Sequence, residues 1–149
     1  VLGFNYRMTN IQAAIGLAQT ENFDRLANKR IENAMLYNSL LCDIDEVMLP
    51  PSTEGIKNVY WMYGILLKNW SKITRDTIRY ELANKGIETR TFFIPIHLQP
   101  VYKGWFKGKY PVSEYLCTNG LYLPSSTSLT EKEIKYVAKT LKEVFAKRK

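Results

Sequence analysis

From Ile11 to Leu41 the apolar residues of this chain recur at helical spacing, yet they do not keep to one face. Ile11, Ala14, Ile15 and Ala18 make one stripe, and Phe23, Leu26, Ala27, Ala34, Tyr37 and Leu41 make another, displaced around the axis. A long helix touched on two sides is the simplest structure with this pattern, and it demands cover from two directions. Its start is written locally: Thr9 can accept from the backbone amide of Gln12 while the Gln12 side chain reaches back, a reciprocal capping box. Asn5, Tyr6 and Arg7 therefore lie on a loop immediately before a helix N-terminus, and something else must hold that loop.

After the Pro50-Pro51 stop, "VYWMYGILLK" (Val59 to Lys68) is β-branched and aromatic and reads as a largely buried strand. Ile73 and Ile78 can staple across a Thr74 cap, Leu82 follows one turn on, and Gly86 stands where a helix ends in a left-handed residue. "IETRTFFI" (Ile87 to Ile94) reads as a second strand ended by Pro95. The run "IHLQPVYKGWFKGKYP" holds too many breakers for a regular element and reads as a loop packed down by Tyr102, Trp105, Phe106 and Tyr110. "GLYLP" makes a short third strand, and Thr130 with Glu133 forms another capping box before a helix burying Ile134, Val137, Ala138, Leu141, Val144 and Phe145.

The order is thus helix, strand, helix, strand, short helix, short strand, helix. It predicts an α+β layer in which a small sheet, mostly antiparallel or mixed, is covered by helices. The 149 residues, 46% of them hydrophobic, supply one core and so one compact domain.

The formal charge is +7, which raises the question of nucleic acid. The last helix carries Lys135, Lys139, Lys142, Lys147, Arg148 and Lys149 against Glu131, Glu133 and Glu143, and the remaining excess is scattered; this fits a solvated face better than a phosphate-tracking stripe. A base-stacking platform would need open aromatics beside clustered cations, whereas Tyr60, Trp61 and Tyr63 fall in a strand too apolar on both faces to be open. A nucleic-acid-binding module without catalysis is accordingly the rival reading. Cys42 and Cys117 lie far apart and form no disulfide framework, so a reducing, cytoplasmic setting is expected. No stretch is apolar for the ~18 residues a bilayer span requires, and no membrane partner is expected.

Chemistry-bearing motifs are sparse. His97 is the only histidine, no metal-ligand spacing surrounds it, and GxSxG, HExxH and Gly-rich phosphate loops are missing from the sequence. On its own residues His97 is as readily a structural hydrogen-bonding group as a functional one.

Three segments, "GFNYRMTNIQAAIGLAQ" (Gly3 to Gln19), "ETRTFFIPIHLQPVY" (Glu88 to Tyr102) and "LYLPSSTSLTEKEIKYV" (Leu121 to Val137), resemble in order and spacing the C-terminal part of the DegT/DnrJ/StrS-type sugar aminotransferases. The resemblance extends over nearly the whole chain. It implies the aspartate aminotransferase type of fold, pyridoxal 5′-phosphate (PLP) as cofactor, and transfer of an amino group, mostly from glutamate, to a keto group of a nucleotide-linked sugar. It also implies that the lysine forming the Schiff base with the cofactor precedes the "GxNxRM" loop, so that residues 1–42 would link to a larger domain and 43–149 would form the C-terminal small domain. The chain alone is then expected to be inactive. A dehydratase-like relative, in which histidine replaces the catalytic lysine, is the alternative within the family.

By this resemblance Asn5 reaches across a homodimer to the phosphate of the partner subunit's cofactor. An amide NH2 before a helix N-terminus suits an anion, although Asn5 can also be a turn residue. Arg7 could pair bidentately with a donor carboxylate or a substrate phosphate, or could brace the loop against an acid. Arg90, at the end of a strand, poses the same choice between structure and carboxylate binding. His97 and Gln99 match a segment lining the mouth of the active site, where they could contact sugar or phosphate oxygens. Tyr102 is a further substrate candidate that can equally be packing. No metal is implied.

Overall fold

The computed structural model describes residues 3–102 and 104–147, so Arg148 and Lys149 of the basic tail lie outside the described residues. Among the described residues, five α-helices and four strands follow in the order α1 (Asn10–Glu21), α2 (Phe23–Leu41), β1 (Val47–Met48), β2 (Tyr63–Leu67), α3 (Arg75–Ala83), β3 (Arg90–Thr91), α4 (Pro111–Asn119), β4 (Gly120–Leu123) and α5 (Glu131–Ala146).

The capping signals are all realised. Thr9 and Gln12 cap α1 reciprocally, as do Thr130 and Glu133 at α5, and Thr74 accepts from the Thr77 amide at α3. Gly86 takes φ +74° just past α3, a left-handed position that a side chain would strain. The long helix is interrupted at Asn22. Thr20 Oγ1 donates back to the Gly16 carbonyl, and Asn22 Nδ2 donates to that of Ala18, so side chains compete with the backbone there. Asn22 thereby serves as the C-cap of α1 and the N-cap of α2.

The sheet is antiparallel throughout, in the order β1-β2-β4-β3. The β2–β4 register sets Tyr63 opposite Leu123 and Ile65 opposite Leu121, which puts Tyr63, Ile65, Leu67, Leu121 and Leu123 on one buried face. Ala34, Tyr37 and Leu41 of α2, Ile78 and Leu82 of α3 and Ile134, Leu141 and Val144 of α5 join the same core. Ile73 and Ile78, flanking the Thr74 cap, are both buried in it. Tyr37 stacks on Tyr63 at 4.7 Å, and each hydroxyl finds a partner: Tyr37 Oη donates to the Pro124 carbonyl at 3.0 Å and Tyr63 Oη to Asn38 Oδ1 at 2.6 Å.

The opposite face is thinner. Gly64 and Gly120 leave room for the Phe92 ring, which lies over both and stacks on Tyr122 at 4.3 Å; a Cβ at Gly64 would come within 2.8 Å of that ring. Helix α4 crosses this face, tied down by Tyr115 Oη donating to the Leu67 carbonyl at 2.6 Å. The Arg75 guanidinium donates to the Cys117 carbonyl and joins α3 to α4.

Several expectations change. Strand β2 starts at Tyr63 rather than Val59, because Tyr60 adopts φ +45° with its amide bound to Asn58 Oδ1, and Trp61 stands 65% exposed instead of buried in a strand. Strand β3 pairs only over Arg90 and Thr91, with Phe92 N donating to Gly120 O, since its partner β4 begins where α4 ends. The two-residue β1 is too short to carry a periodic signal. The aromatics after Pro95 pack on one another rather than into the core: Tyr102 meets Trp105 and Phe106 edge-on, and Trp105 stays 75% exposed. The first apolar stripe is uncovered, with no residue of α1 buried.

Candidate active-site rim

The segment following β3 is shaped by proline and by its own side chains. Pro95 opens a 3₁₀ turn over Ile96–Leu98, and a second follows over Pro100–Tyr102. Gln99 Nε2 donates to the Ile94 carbonyl at 3.3 Å, so the amide predicted to meet substrate also closes its own loop.

His97 projects from the first of these turns toward α4. Its Nε2 lies 3.0 Å from Glu114 Oε1, and its ring packs at 4.6 Å on that of Tyr110. The imidazole side chain is only 13% exposed, while Glu114 is 48% exposed. His97 borders a groove of about 560 Å³ whose walls are largely apolar, among them Phe92, Phe93, Ile94, Phe106 and Leu116. Next to it lies a cleft of about 410 Å³ bordered by Arg90, Gln99, Thr89, Thr91 and Arg79, and the two hollows share Phe92, Phe93, Ile94 and Tyr122. The fold thus gathers Arg90, His97 and Gln99 around one aromatic ridge. Tyr102 borders neither hollow and makes edge contacts to Trp105 and Phe106.

Two residues near the ridge were missed, one bordering the cleft and one facing His97. Arg79, on α3, pairs with Asp76 at 3.7 Å and adds a second guanidinium beside Arg90. Glu114 is the carboxylate facing His97. Only their positions on the exposed faces of short helices marked either one, and exposed charges on helices are ordinary. Among the described residues no group of three His, Cys, Asp or Glu could hold a metal ion. No helix among them is long and apolar enough to cross a membrane.

Asn5 and Arg7 stand apart from the ridge, on the exposed arm ahead of α1. Asn5 Oδ1 accepts from the Arg7 amide at 3.0 Å, an Asx turn. With its oxygen engaged, the side chain has its NH2 left to donate.

An antiparallel sheet with α2, α3 and α5 on one face, and α4 with the aromatic ridge on the other, is an α+β architecture. A putative sugar aminotransferase from Streptococcus pneumoniae, solved in its PLP form, superposes with a TM-score of 0.85 at 28% identity, over 95% of this chain and 36% of that one. The chain belongs to the DegT/DnrJ/EryC1/StrS aminotransferase family, whose profile matches residues 1–142. It is 36% identical over 146 residues to a GDP-perosamine synthase of Escherichia coli O157:H7, covering 98% of this chain and 39% of that protein. It is 37% identical over 145 residues to a GDP-perosamine synthase of Caulobacter vibrioides, covering 97% of this chain and again 39% of that protein. The chain therefore spans about two fifths of the length of these relatives.

Proposed function

We propose that this chain is the C-terminal portion of a PLP-dependent aminotransferase that moves an amino group, with glutamate as donor, onto a keto sugar carried by a nucleotide. The intact enzyme works as a cytoplasmic homodimer. Residues 1–42 link the small domain to the rest of the protein, α2 reaching into the core of 43–149. The observation that carries this reading is the Asn5 turn: within a family segment, an amide whose oxygen is already engaged offers its NH2 immediately before a capped helix, a donor set that fits a phosphate.

The cofactor, when bound, supplies the electron sink for amino transfer. Asn5 donates to its phosphate from the neighbouring subunit, and Arg7 adds positive charge beside the same arm. At the ridge, Arg90 receives a carboxylate or a phosphate, His97 and Gln99 face the sugar, and the apolar walls of the groove exclude water around it. Tyr102 supports the loop that carries them. The Schiff-base lysine is not among this chain's own lysines, so the chain by itself neither fixes the cofactor covalently nor transfers amino groups.

Titration of the intact enzyme with PLP tests the proposal. Asn5→Ala removes a hydrogen bond to a charged group, about 1.5–3 kcal/mol, so PLP affinity falls roughly ten- to a hundredfold while activity recovers substantially in excess cofactor. His97→Ala raises the KM for the sugar and leaves PLP affinity unchanged. Unchanged PLP affinity in Asn5→Ala returns Asn5 to a turn-forming role.

A further inference from the structure

We infer that Glu114 is a positioning residue that fixes His97 with its proton on Nε2, so that Nδ1 is presented as an acceptor for a hydroxyl of the sugar or of the nucleotide ribose. The part concerning substrate rests on the function proposed above; the part concerning the imidazole does not. Glu114 Oε1 lies 3.0 Å from His97 Nε2, and an ionised carboxylate can only accept, so in the neutral ring the proton sits on Nε2. The lone pair then falls to Nδ1, for which no described residue provides a partner. The Tyr110 ring, 4.6 Å away, restricts rotation about the side-chain bonds, and Tyr110 N-caps the helix that carries Glu114.

This geometry discriminates between ligand chemistries. A neutral imidazole held this way repels an ionised phosphate oxygen, which has no proton to give, and accepts from a hydroxyl. Phosphate recognition at the ridge then falls to the guanidinium groups of Arg90 and Arg79 in the neighbouring cleft. Glu114 touches no substrate in this arrangement; it acts through the ring it orients, as a carboxylate behind a histidine does in other sites.

Because His97 is the only histidine, long-range proton–nitrogen NMR correlations of the chain report its tautomer without overlap. The expected spectrum at neutral pH shows Nε2 protonated, with an Nε2 proton shielded from exchange. Glu114→Gln keeps that state, since its amide oxygen still accepts, whereas Glu114→Ala loses the shielding. The half-exposed position of Glu114 makes all of these substitutions compatible with folding. A proton on Nδ1 in the unsubstituted chain, or an unchanged spectrum in Glu114→Ala, overturns the inference.

In the intact enzyme, Glu114→Ala raises the KM for the nucleotide sugar about two- to tenfold, in proportion to one neutral hydrogen bond, with kcat little changed. The same substitution added to His97→Ala has no further effect. Additive losses overturn the positioning role. An unchanged KM in His97→Ala overturns the substrate contact alone, and the NMR result tells that failure apart from a failure of the pairing.

Discussion

Helix α1 and helix α5 are built from the same local grammar and end in opposite situations. Each opens on a threonine capping box, and each carries apolar residues at helical spacing. Helix α5 buries Ile134, Val137, Ala138, Leu141, Val144 and Phe145 against α2, α3 and the sheet; α1 buries none, and Ile11 and Ile15 stand 75% and 61% exposed. Caps and propensity specify where a helix begins, but an isolated helix of α1's length is marginal in water, and most helical stability comes from packing. The difference separates residues whose cost on mutation is read in folding from residues whose cost, in the proposed dimer, would be read in assembly.

The largest effect that tests this contrast is on the core side. Leu141, fully buried in α5, loses its contacts and leaves a cavity on truncation, so Leu141→Ala is expected to destabilise the chain by about 2–5 kcal/mol. Ile15→Ala, the same kind of truncation on an open stripe, stays within about 0.5 kcal/mol. Denaturant unfolding of the chain measures both. Comparable losses at the two positions would mean that α1 has cover of its own and would erase the distinction. In the proposed dimer, by contrast, Ile15→Ala weakens subunit association, as seen by sedimentation.

A second effect is confined to alkaline solution. Burial raises Tyr37 and Tyr63 well above the usual tyrosine value, and at Tyr63 the neighbouring Tyr37 and Tyr60 add to the rise. A group whose folded pKa is raised contributes stability that is whole below its unfolded pKa, about 10 for tyrosine, and is lost as pH climbs beyond it. The chain should therefore unfold more easily above about pH 10, and Tyr37→Phe should flatten that decline while losing the bond to Pro124 at neutral pH. Unfolding midpoints followed across that range check it; a decline of the same slope in Tyr37→Phe would shift the alkaline sensitivity to other groups.

How much of this was legible follows the same division. The α5 core, the caps at Thr74 and Thr130 and the left-handed Gly86 could be read because each signal is local and agrees with the packing around it, and the Thr9 cap because its bonds lie wholly within the first turn of α1. Strand ends could not. The start of β2 depends on a left-handed Tyr60, which a β-branched and aromatic run gives no reason to expect, and the brevity of β3 depends on where a strand distant in sequence begins. At the ridge, the "PIHLQP" segment pointed to His97 and Gln99, but the Glu114 that faces His97 lies seventeen residues on in another element, a pairing that only the fold supplies. Asn5 was legible as a residue before a helix; that its oxygen is taken by the Arg7 amide was not.

The smallest effect separates the two capping boxes themselves. At α5 the returning partner is Glu133, whose carboxylate accepts from the Thr130 backbone amide at 2.8 Å and from its hydroxyl at 2.7 Å. These bonds, the backbone one foremost, hold Glu133 below the usual carboxylate range. At α1 the partner is Gln12, accepting from the Thr9 amide at 2.9 Å, and it has no proton to gain. A carboxylate lowered in the folded state contributes stability that is present above its unfolded pKa and lost as pH falls through the folded one, so the α5 box weakens in acid while the α1 box does not. Thr130→Ala is expected to cost about 1 kcal/mol of global stability at neutral pH, less in acid, since α5 is part of the core. Thr9→Ala should leave global unfolding unchanged at either pH and show only as faster amide exchange in the first turn of α1, because a helix that buries nothing can fray without unfolding the rest. Hydrogen exchange at Gln12 and Glu133, measured at neutral and acid pH, reads both boxes in one experiment. A global loss on Thr9→Ala would show that α1 is coupled to the core after all.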